Sequence, residues 1–385
     1  MKDQTKRITI FSLLAVLLLT AMTIPPAPPE ASGPLRAVVL YEDAAGPEET
    51  TRLLEETAGV TVLCRYESLF PGAAVEADAR GLAALEALPG VAGVGLAQSY
   101  ICASSSAGKD PLSPEEGLKL MDADGLWEQG YTGDGTVIAV LDSGLNTDHE
   151  AFADASLMES PALSREDVAE FARKGGTKGR YVSQRIPFAY DYYSRDDGVA
   201  TTNNHGTHVT ALAAGYVKDR AGHVTFRGAA PAAQILSMKI FPNGSGGGTD
   251  DTIILRALED AWNLGADVVN LSVGTGAGFS ASDTMDGIYC RAFTQMARSG
   301  VLICCAAGNS AANVQSKTWG QPLPSGGYTD YGSVCSPGSF YGALAVAAAS
   351  RTEDGTAAIA DYSAWGPGSG LHLTPALTAF GGPVT

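Results

Sequence analysis

The chain has 385 residues, of which 45% are hydrophobic and 17% are charged, and its formal net charge at pH 7 is −17. This length is enough for one large α/β domain and one small domain. The acidic balance argues against a nucleic acid or an anionic membrane surface as the main partner and is typical of a soluble extracellular protein.

Residues 1–33 have the pattern of a secretory signal peptide. Lys2, Lys6 and Arg7 form a basic start, and the apolar run 8–24 follows it and ends at a proline-rich stretch. The apolar run also approaches the length of a single membrane-spanning anchor, and no A-x-A cleavage site is evident, so that alternative stays open. Either route predicts export, and hence a secreted or cell-surface protein.

Six cysteines in an exported protein could form disulfides. Cys304 and Cys305, however, are adjacent in the apolar run 301–306, and adjacent strand residues point to opposite faces. We therefore expect buried free thiols that behave as small hydrophobic groups. The absence of a C-x-x-C pair gives no support to a zinc cluster.

Residues 34–100 are predicted to form a small α+β domain. Its expected helices and strands follow one another as β-α-β-β-α-β, with strands at 36–41, 60–65, 73–77 and 91–96 and helices at 46–59 and 82–88. This order is that of a ferredoxin-like domain, a fold that many functions share. Residues 101–113 contain the small, polar stretch Ala103–Lys109 and are predicted to be a flexible linker that is cut during maturation.

Residues 114–385 are predicted to form the larger domain, because apolar strands and helices alternate along them. Strands are expected at 136–141, 235–240, 268–273 and 301–306, with helices at 209–216 and 249–264 and a further helix ending at Ala297. Thr249 is expected to open the helix at 249–264, with Asp250 and Asp251 in its first turn. Buried strands with helical crossovers predict an α/β fold with a doubly wound, mostly parallel sheet.

Two motifs in this domain carry acid–base side chains. Asp142 in V-L-D-S-G ends a buried strand, where α/β enzymes place functional groups, although an isolated Asp-Ser-Gly is also a common turn. His205 in H-G-T-H-V begins a helix of small residues that can pack close to the sheet. His208 is its rival, and both histidines could lack any chemistry. The H-E-x-x-H spacing of a helical metal site is absent.

Three further segments could bind a peptide or stabilise negative charge. Ser272-Val273-Gly274 ends a strand whose backbone could pair with an extended peptide, and the glycine stretch that includes Gly246 and Gly247 could supply the opposite edge. Each could equally be an ordinary strand or a flexible loop. Asn309 follows a buried strand, and its amide could donate to an oxyanion, although asparagine is also common in turns.

In their fixed order these motifs resemble the subtilisin-like serine proteases, or subtilases. Asp142 matches the catalytic aspartate of that family, His205 its catalytic histidine and Asn309 its oxyanion asparagine. The strand Ser272-Val273-Gly274 matches the substrate-pairing strand. Gly228–Pro231, followed by Lys239, matches a structural block.

The resemblance implies a subtilisin-like fold and a secreted endopeptidase that acts on protein or peptide substrates. Residues 34–100 would be an inhibitor-like prodomain that folds the protease and blocks its cleft, in a monomer. No cofactor would be required for the chemistry, although a structural calcium ion at an unknown place is usual in the family. Residues 180–193 and Cys335–Ser339 are similar to the cell-envelope (lactocepin-like) proteinases of Gram-positive bacteria.

One departure concerns the nucleophile. Subtilases carry their serine in G-T-S-M-A, shortly after a segment that Pro375–Gly382 resembles, and no G-T-S occurs among these residues. The sequence therefore predicts a catalytic domain that is incomplete at its C-terminus and inactive as written. Two other hypotheses are a pseudoprotease with a binding or regulatory role, and a prodomain-like inhibitor fused to a peptide-binding module.

Overall fold

The structure is a computed structural model that describes residues 34–102, 114–244, 247–275, 283–309, 331–352 and 356–381. Within these ranges no helix combines the length and the apolar composition that a membrane crossing needs. The predicted signal segment and the stretch Ala103–Lys109 lie outside the described residues.

Residues 34–96, here called the N-terminal unit, fold in the predicted β-α-β-β-α-β order. Their antiparallel sheet has the strand order β2-β3-β1-β4. The elements are β1 (Leu35–Tyr41), α1 (Pro47–Glu56), β2 (Val60–Tyr66), β3 (Gly72–Ala77), α2 (Ala79–Leu85) and β4 (Val91–Leu96). A short strand, β5 (Ser99–Cys102), follows the unit and includes the first two residues of the predicted linker.

Helix α2 begins three residues earlier than the predicted helix 82–88. Asp78 caps its N-terminus, since the side chain of Asp78 accepts a hydrogen bond of 2.7 Å from the backbone N–H of Gly81. An aspartate at this position satisfies a backbone donor that the first turn otherwise leaves unpaired. The helix therefore starts directly after its capping residue, Asp78. Apolar periodicity alone predicted a start three residues later.

The sheet of the N-terminal unit is buried on both faces. Val39 and Val75 belong to a cluster of buried residues within the unit itself, whereas Val38 and Ala74 belong to the main core of the large domain. Because neighbouring strand residues point to opposite faces, helices α1 and α2 cover one face of the sheet and the large domain packs against the other. The main core of the large domain thus extends into the N-terminal unit, which also has a smaller core of its own.

The large domain, residues 114–381, is built on a doubly wound sheet, which confirms the predicted fold class. The described strands of the domain are β6 (Val137–Asp142), β7 (Phe188–Asp191), β8 (Tyr216–Lys218), β9 (Val224–Arg227), β10 (Gln234–Lys239), β11 (Thr249–Asp250), β12 (Val268–Leu271), β13 (Val273–Gly274), β14 (Leu302–Ala306), β15 (Leu344–Arg351), β16 (Ala357–Ile359) and β17 (Leu377–Phe380). Seven of these strands are parallel in the order β7-β10-β6-β12-β14-β15-β17, and the short strand β16 pairs antiparallel with β15.

The described helices of this domain connect the strands and cover the sheet. They are α3 (Pro114–Leu120), α4 (Ala123–Glu128), α5 (Arg165–Arg173), α6 (His205–Ala214), α7 (Asp251–Asn263) and α8 (Asp283–Arg298), with 3₁₀ turns at Glu150–Phe152 and Ser369–Leu371. Chain order reverses beside the central strand β6, and functional groups of open α/β sheets collect at such points, outside the carboxyl ends of the strands.

The starts of helices α6 and α7 differ in how well they were predicted. Helix α6 begins at His205, as the H-G-T-H-V motif indicated, and not at Val209, where the apolar pattern placed its start. Helix α7 begins at Asp251, because Asp250 is the capping residue and its carboxylate accepts from the backbone N–H of Thr252 at 2.9 Å. Thr249, predicted to open this helix, instead lies in strand β11.

A carboxylate of helix α7 holds the N-terminal unit on the large domain. Glu259 is buried, and its two oxygens accept hydrogen bonds from the backbone N–H groups of Glu67, Ser68 and Leu69 at 2.7, 2.6 and 3.0 Å. These three donors belong to the loop between β2 and β3. Hydrogen bonds to a charged acceptor are each worth about 1.5–3 kcal/mol, so this cluster is a main polar attachment between the two parts.

We therefore expect Glu259→Gln to lower the free energy of unfolding by about 2 kcal/mol, because the amide loses the charge and turns a donor toward a backbone N–H. Urea unfolding of the chain measures this loss. Glu166→Gln, an exposed change in α5, is the matched control and should alter stability by less than about 0.5 kcal/mol. Equal effects of the two changes would contradict the role of Glu259.

Candidate active site

A buried aspartate and a histidine meet at the carboxyl end of the central strand. Asp142 is the last residue of β6 and is 1% exposed, and its Oδ1 lies 2.8 Å from Nδ1 of His205 at the start of α6. The same oxygen accepts a hydrogen bond of 2.6 Å from the backbone N–H of Ser143. The structure therefore brings together the two acid–base residues that the sequence singled out, although they are 63 positions apart.

The small residues of both motifs make this approach possible. Gly144 has φ of +117°, which favours glycine, and the backbone N–H of Gly206 donates to the hydroxyl of Ser143 at 3.0 Å. A Cβ on Gly206 would lie 2.2 Å from the carbonyl oxygen of Gly144, so helix and loop are in direct backbone contact. The motifs D-S-G and H-G-T-H thus specify a close approach as well as the acid–base groups.

His208, the rival histidine, lies one turn further along α6. Burial, followed by the neighbouring His205, lowers the pKa of His208, which favours its neutral form near pH 7. The contact with Asp142 is made by His205.

A strand of the same chain occupies the groove beside this pair. Strand β5 lies between two short strands and is antiparallel to both: Val273 and Gly274 of β13 pair with Cys102 and Ile101, and β11 pairs with the other end of β5. Ser272 itself precedes β13, and its hydroxyl accepts from the side-chain amide of Asn270 at 3.0 Å. Backbone pairing of this kind is how an extended peptide is held at a sheet edge.

The opposite edge of the groove is formed by residues just after the predicted glycines. Thr249 and Asp250 pair with Tyr100 and Ser99, and a Cβ on Gly248 would lie 2.8 Å from the carbonyl oxygen of Tyr100. Gly247 packs against Pro242 instead, where a Cβ would lie 2.2 Å from the proline ring. Gly246 lies outside the described residues.

The side chains of β5 alternate between the protein and the solvent. Tyr100 is completely buried, whereas Ile101 is 65% exposed. The Tyr100 hydroxyl lies near Asp251, and burial together with that carboxyl raises the pKa of the phenol. Among the described residues this hydroxyl has no hydrogen-bond partner of ordinary geometry.

Asp251 is the buried carboxyl near the Tyr100 hydroxyl. Its carboxylate accepts from the backbone N–H of Gln98 at 2.7 Å and from the hydroxyl of Tyr289 at 2.8 Å, and it is completely buried. Burial raises the pKa of Asp251 to about 6. The sequence did not indicate these contacts, because the place of Asp251 in the first turn of a helix already accounts for an acidic residue there.

Cys102 places its thiol directly on the aspartate–histidine pair. Its Sγ lies 3.1 Å from Nδ1 of His205 and 3.8 Å from Oδ1 of Asp142. Burial and the charge of Asp142 raise the pKa of this thiol, so it is protonated near pH 7. Cys102 thus contacts the ring of His205 on its Nδ1 side.

Asn309 follows strand β14 at the same edge of the sheet. Strands β6, β12 and β14 are successive neighbours and parallel, so Asp142, Ser272 and Asn309 all lie near the carboxyl edge. Gly308, with φ of +114°, turns the chain at this point, and a Cβ there would lie 3.0 Å from the sulfur of Cys335. The structure thus places Asn309 at the same edge of the sheet as Asp142 and leaves its predicted role as a prediction.

The family model described as the subtilase family matches residues 133–385. The chain belongs to the subtilase family. The resemblance predicted from the motifs is thereby confirmed, and the matched range contains both members of the aspartate–histidine pair.

Relatives of this subtilase include the PIII-type proteinase of Lactococcus lactis subsp. cremoris, which is 29% identical over 346 residues, a stretch covering 88% of this chain and 16% of that protein. C5a peptidase of Streptococcus pyogenes serotype M6 is 33% identical over 243 residues, covering 61% of this chain and 20% of that protein. The chain thus spans a fifth or less of the length of these relatives. These relatives agree with the predicted similarity to the cell-envelope (lactocepin-like) proteinases of Gram-positive bacteria.

Two solved structures share the fold of this subtilase. Fervidolysin from Fervidobacterium pennivorans, a keratinolytic enzyme, aligns with a TM-score of 0.56 and 18% identity, covering 86% of this chain and 45% of that one. The epidermin leader peptide processing serine protease from Staphylococcus aureus aligns with a TM-score of 0.53 and 15% identity, covering 82% and 70%.

We expect Gly206→Ala to destabilise the subtilase fold by about 2 kcal/mol, because the added methyl would overlap the Gly144 carbonyl. Gly287→Ala in α8 is the matched control, since a Cβ there meets nothing within 4 Å. That change should stabilise the helix by up to about 1 kcal/mol. Thermal or urea unfolding measures both; stabilisation by Gly206→Ala would contradict the close contact.

The raised pKa of Asp251 predicts a pH dependence. Since this pKa is about 6 in the fold and about 3.9 in an unfolded chain, protonation stabilises the fold: the contribution is full below about pH 4 and is lost as the pH rises through 6. Relative to Asp251→Asn, the wild type should lose on the order of 2–3 kcal/mol between pH 4 and 7. Urea unfolding across this range tests the prediction, and parallel pH profiles would contradict it.

Proposed function

We propose that this subtilase is a secreted serine endopeptidase that is made with its cleft blocked by its own N-terminal residues. The observation that carries the proposal is strand β5, which lies antiparallel between β11 and β13 and places Cys102 against His205. A bound peptide substrate would take the same path. The proteinase and peptidase names of the relatives support peptide-bond hydrolysis on protein or peptide substrates.

The proposed chemistry divides among three described side chains. Asp142 fixes the ring of His205 through Nδ1 at 2.8 Å and stabilises the imidazolium that forms. The other ring nitrogen, Nε2, would take the proton of a serine and pass it to the leaving amine. Asn309, with a backbone N–H, would hold the tetrahedral oxyanion; loss of such a donor in subtilisin costs roughly 10²–10³ in kcat. None of these steps requires a metal or an organic cofactor.

The N-terminal unit is proposed to be the inhibitor-like prodomain of a monomeric zymogen. Glu259 binds its β2–β3 loop, Arg36 of β1 pairs with Asp250 at 2.8 Å, and β5 fills the groove. Residues 1–33 would direct export to the exterior or the cell surface, and cleavage within 103–113 would separate the inhibitor from the catalytic domain at 114–385.

The residues printed here contain no G-T-S. We propose that these residues hold their own strand β5 in the groove and do not hydrolyse a peptide by themselves, since loss of the serine of such a triad costs about 10⁶ in turnover, as measured in subtilisin. The second candidate is a pseudoprotease or peptide-binding module, which the filled groove also favours. Translating the gene beyond Thr385 separates them: a G-T-S-M-A segment supports the protease, and a stop codon directly after Thr385 supports the binding module.

For the full gene product we expect His205→Ala to abolish casein hydrolysis, with a loss of about 10⁶ in kcat, because the serine would lack its general base. The matched control is His208→Ala on the same helix, which should keep hydrolysis within about tenfold of the wild type. Hydrolysis that survives His205→Ala would refute the proposed role.

A further inference from the structure

Three potential metal ligands converge where the N-terminal segment meets the active site. Sγ of Cys102, Nδ1 of His205 and a carboxylate oxygen of Asp142 all lie within 4.8 Å of one another. Two of these groups belong to the catalytic pair and the third comes from strand β5. Their convergence exists only while β5 lies in the groove.

Hydrogen bonding alone does not satisfy this cluster. Nδ1 of His205 lies 2.8 Å from the Asp142 oxygen and 3.1 Å from the Cys102 sulfur, yet a single ring nitrogen carries at most one proton. If that proton goes to the carboxylate, only the weak S–H donor of Cys102, 3.8 Å from the same carboxylate oxygen, links the sulfur to the pair. The second oxygen of Asp142, in a side chain 2% exposed, has no hydrogen-bond partner in the described part of the chain. A buried acceptor without a partner is costly.

We propose that the blocked cleft binds one soft divalent cation of the zinc class through Cys102, His205 and Asp142. Zinc lies about 2.3 Å from thiolate sulfur and about 2.0–2.2 Å from imidazole nitrogen and carboxylate oxygen, so tetrahedral ligand atoms are roughly 3.3–3.6 Å apart. The observed separations are 2.8, 3.1 and 3.8 Å. Shifts of a few tenths of an ångström therefore suffice, and a water molecule can complete the tetrahedron.

Charge and proton balance are consistent with such a site. The thiol releases its proton to solvent as the metal–sulfur bond forms, the imidazole binds through Nδ1 with its proton on Nε2, and the carboxylate is ionised. The resulting thiolate and carboxylate together neutralise a divalent cation. A sulfur–nitrogen–oxygen set selects zinc or cadmium over calcium and magnesium, which prefer all-oxygen ligands.

The cation would act as a latch on the zymogen, a role that rests on the proposed function. It would tie Cys102 to the catalytic pair and occupy Nδ1, so His205 could not be oriented by Asp142 as a general base. Removal of the metal would free β5 to leave the groove. Metal binding itself requires no catalysis and can be measured on these 385 residues.

The test titrates the reduced chain with cadmium and follows the ultraviolet charge-transfer absorption of a cadmium–thiolate bond. We expect saturation at one equivalent, displacement by zinc, and loss of this absorption in Cys102→Ser. Cys64→Ser, which removes a thiol of the N-terminal unit, is the matched control and should keep the signal. His205→Ala should weaken binding at least about tenfold.

An absorption that is unchanged in Cys102→Ser, or the absence of a saturable signal in the wild type, would overturn the metal site. Circular dichroism of each variant ensures that a lost signal reflects a lost ligand rather than an unfolded chain. The two proposals can fail separately. If the chain gives no metal signal but its full gene product still needs His205 for casein hydrolysis, the protein is a protease without the metal latch. If the chain binds cadmium through Cys102 but its full gene product does not hydrolyse casein, the metal site is supported and the proposed protease function is wrong.

Discussion

The burial of one carboxylate at the end of a central parallel strand sets the rest of the arrangement. Asp142 is removed from water, and a buried charge is stable only when it is paired or hydrogen-bonded. The backbone N–H of Ser143 and the ring of His205 provide these partners. Because the ring of His205 contacts Asp142, helix α6 begins beside the end of β6. This close approach is possible because glycine stands at both contact positions, Gly144 and Gly206.

A second buried charge supports the same strand end. Lys239, the last residue of β10, is completely buried and forms an ion pair with Asp191, which ends β7. In the sheet Lys239 is opposite Asp142, and its side chain passes close to Gly144. Lys239, which the family resemblance marked as structural, therefore lies beside Asp142 and its glycine turn. Breaking such a buried pair by removing one partner typically costs about 3–5 kcal/mol.

The sequence predicted those features that are encoded locally. Asp142 and His205 could be found because strand, glycine turn and small-residue helix stand next to the functional residue in the chain. The role of strand β5 could not be predicted, because Tyr100 and Cys102 matter only through contacts with residues far along the chain, such as His205, which is 103 positions from Cys102. The start of α7 was placed wrongly since Thr249, Asp250 and Asp251 are all plausible capping residues, and only the pairing of β11 with β5 decides among them. Glu259 was missed for the same reason, because its backbone partners lie in the other part of the chain.

Residues 34–102 contact the large domain at several separated places, among them the loop bound by Glu259 and strand β5 in the groove. While the chain is continuous, release of one contact leaves the others engaged, and the strand rebinds from an effective concentration that is in the millimolar range for short flexible connections. Dilution has no influence on such an intramolecular equilibrium. A cut after β5 turns the same contacts into an association between two molecules, which dilution does weaken. One hydrolysed bond would thus make the state of the cleft depend on the volume into which the protein is released.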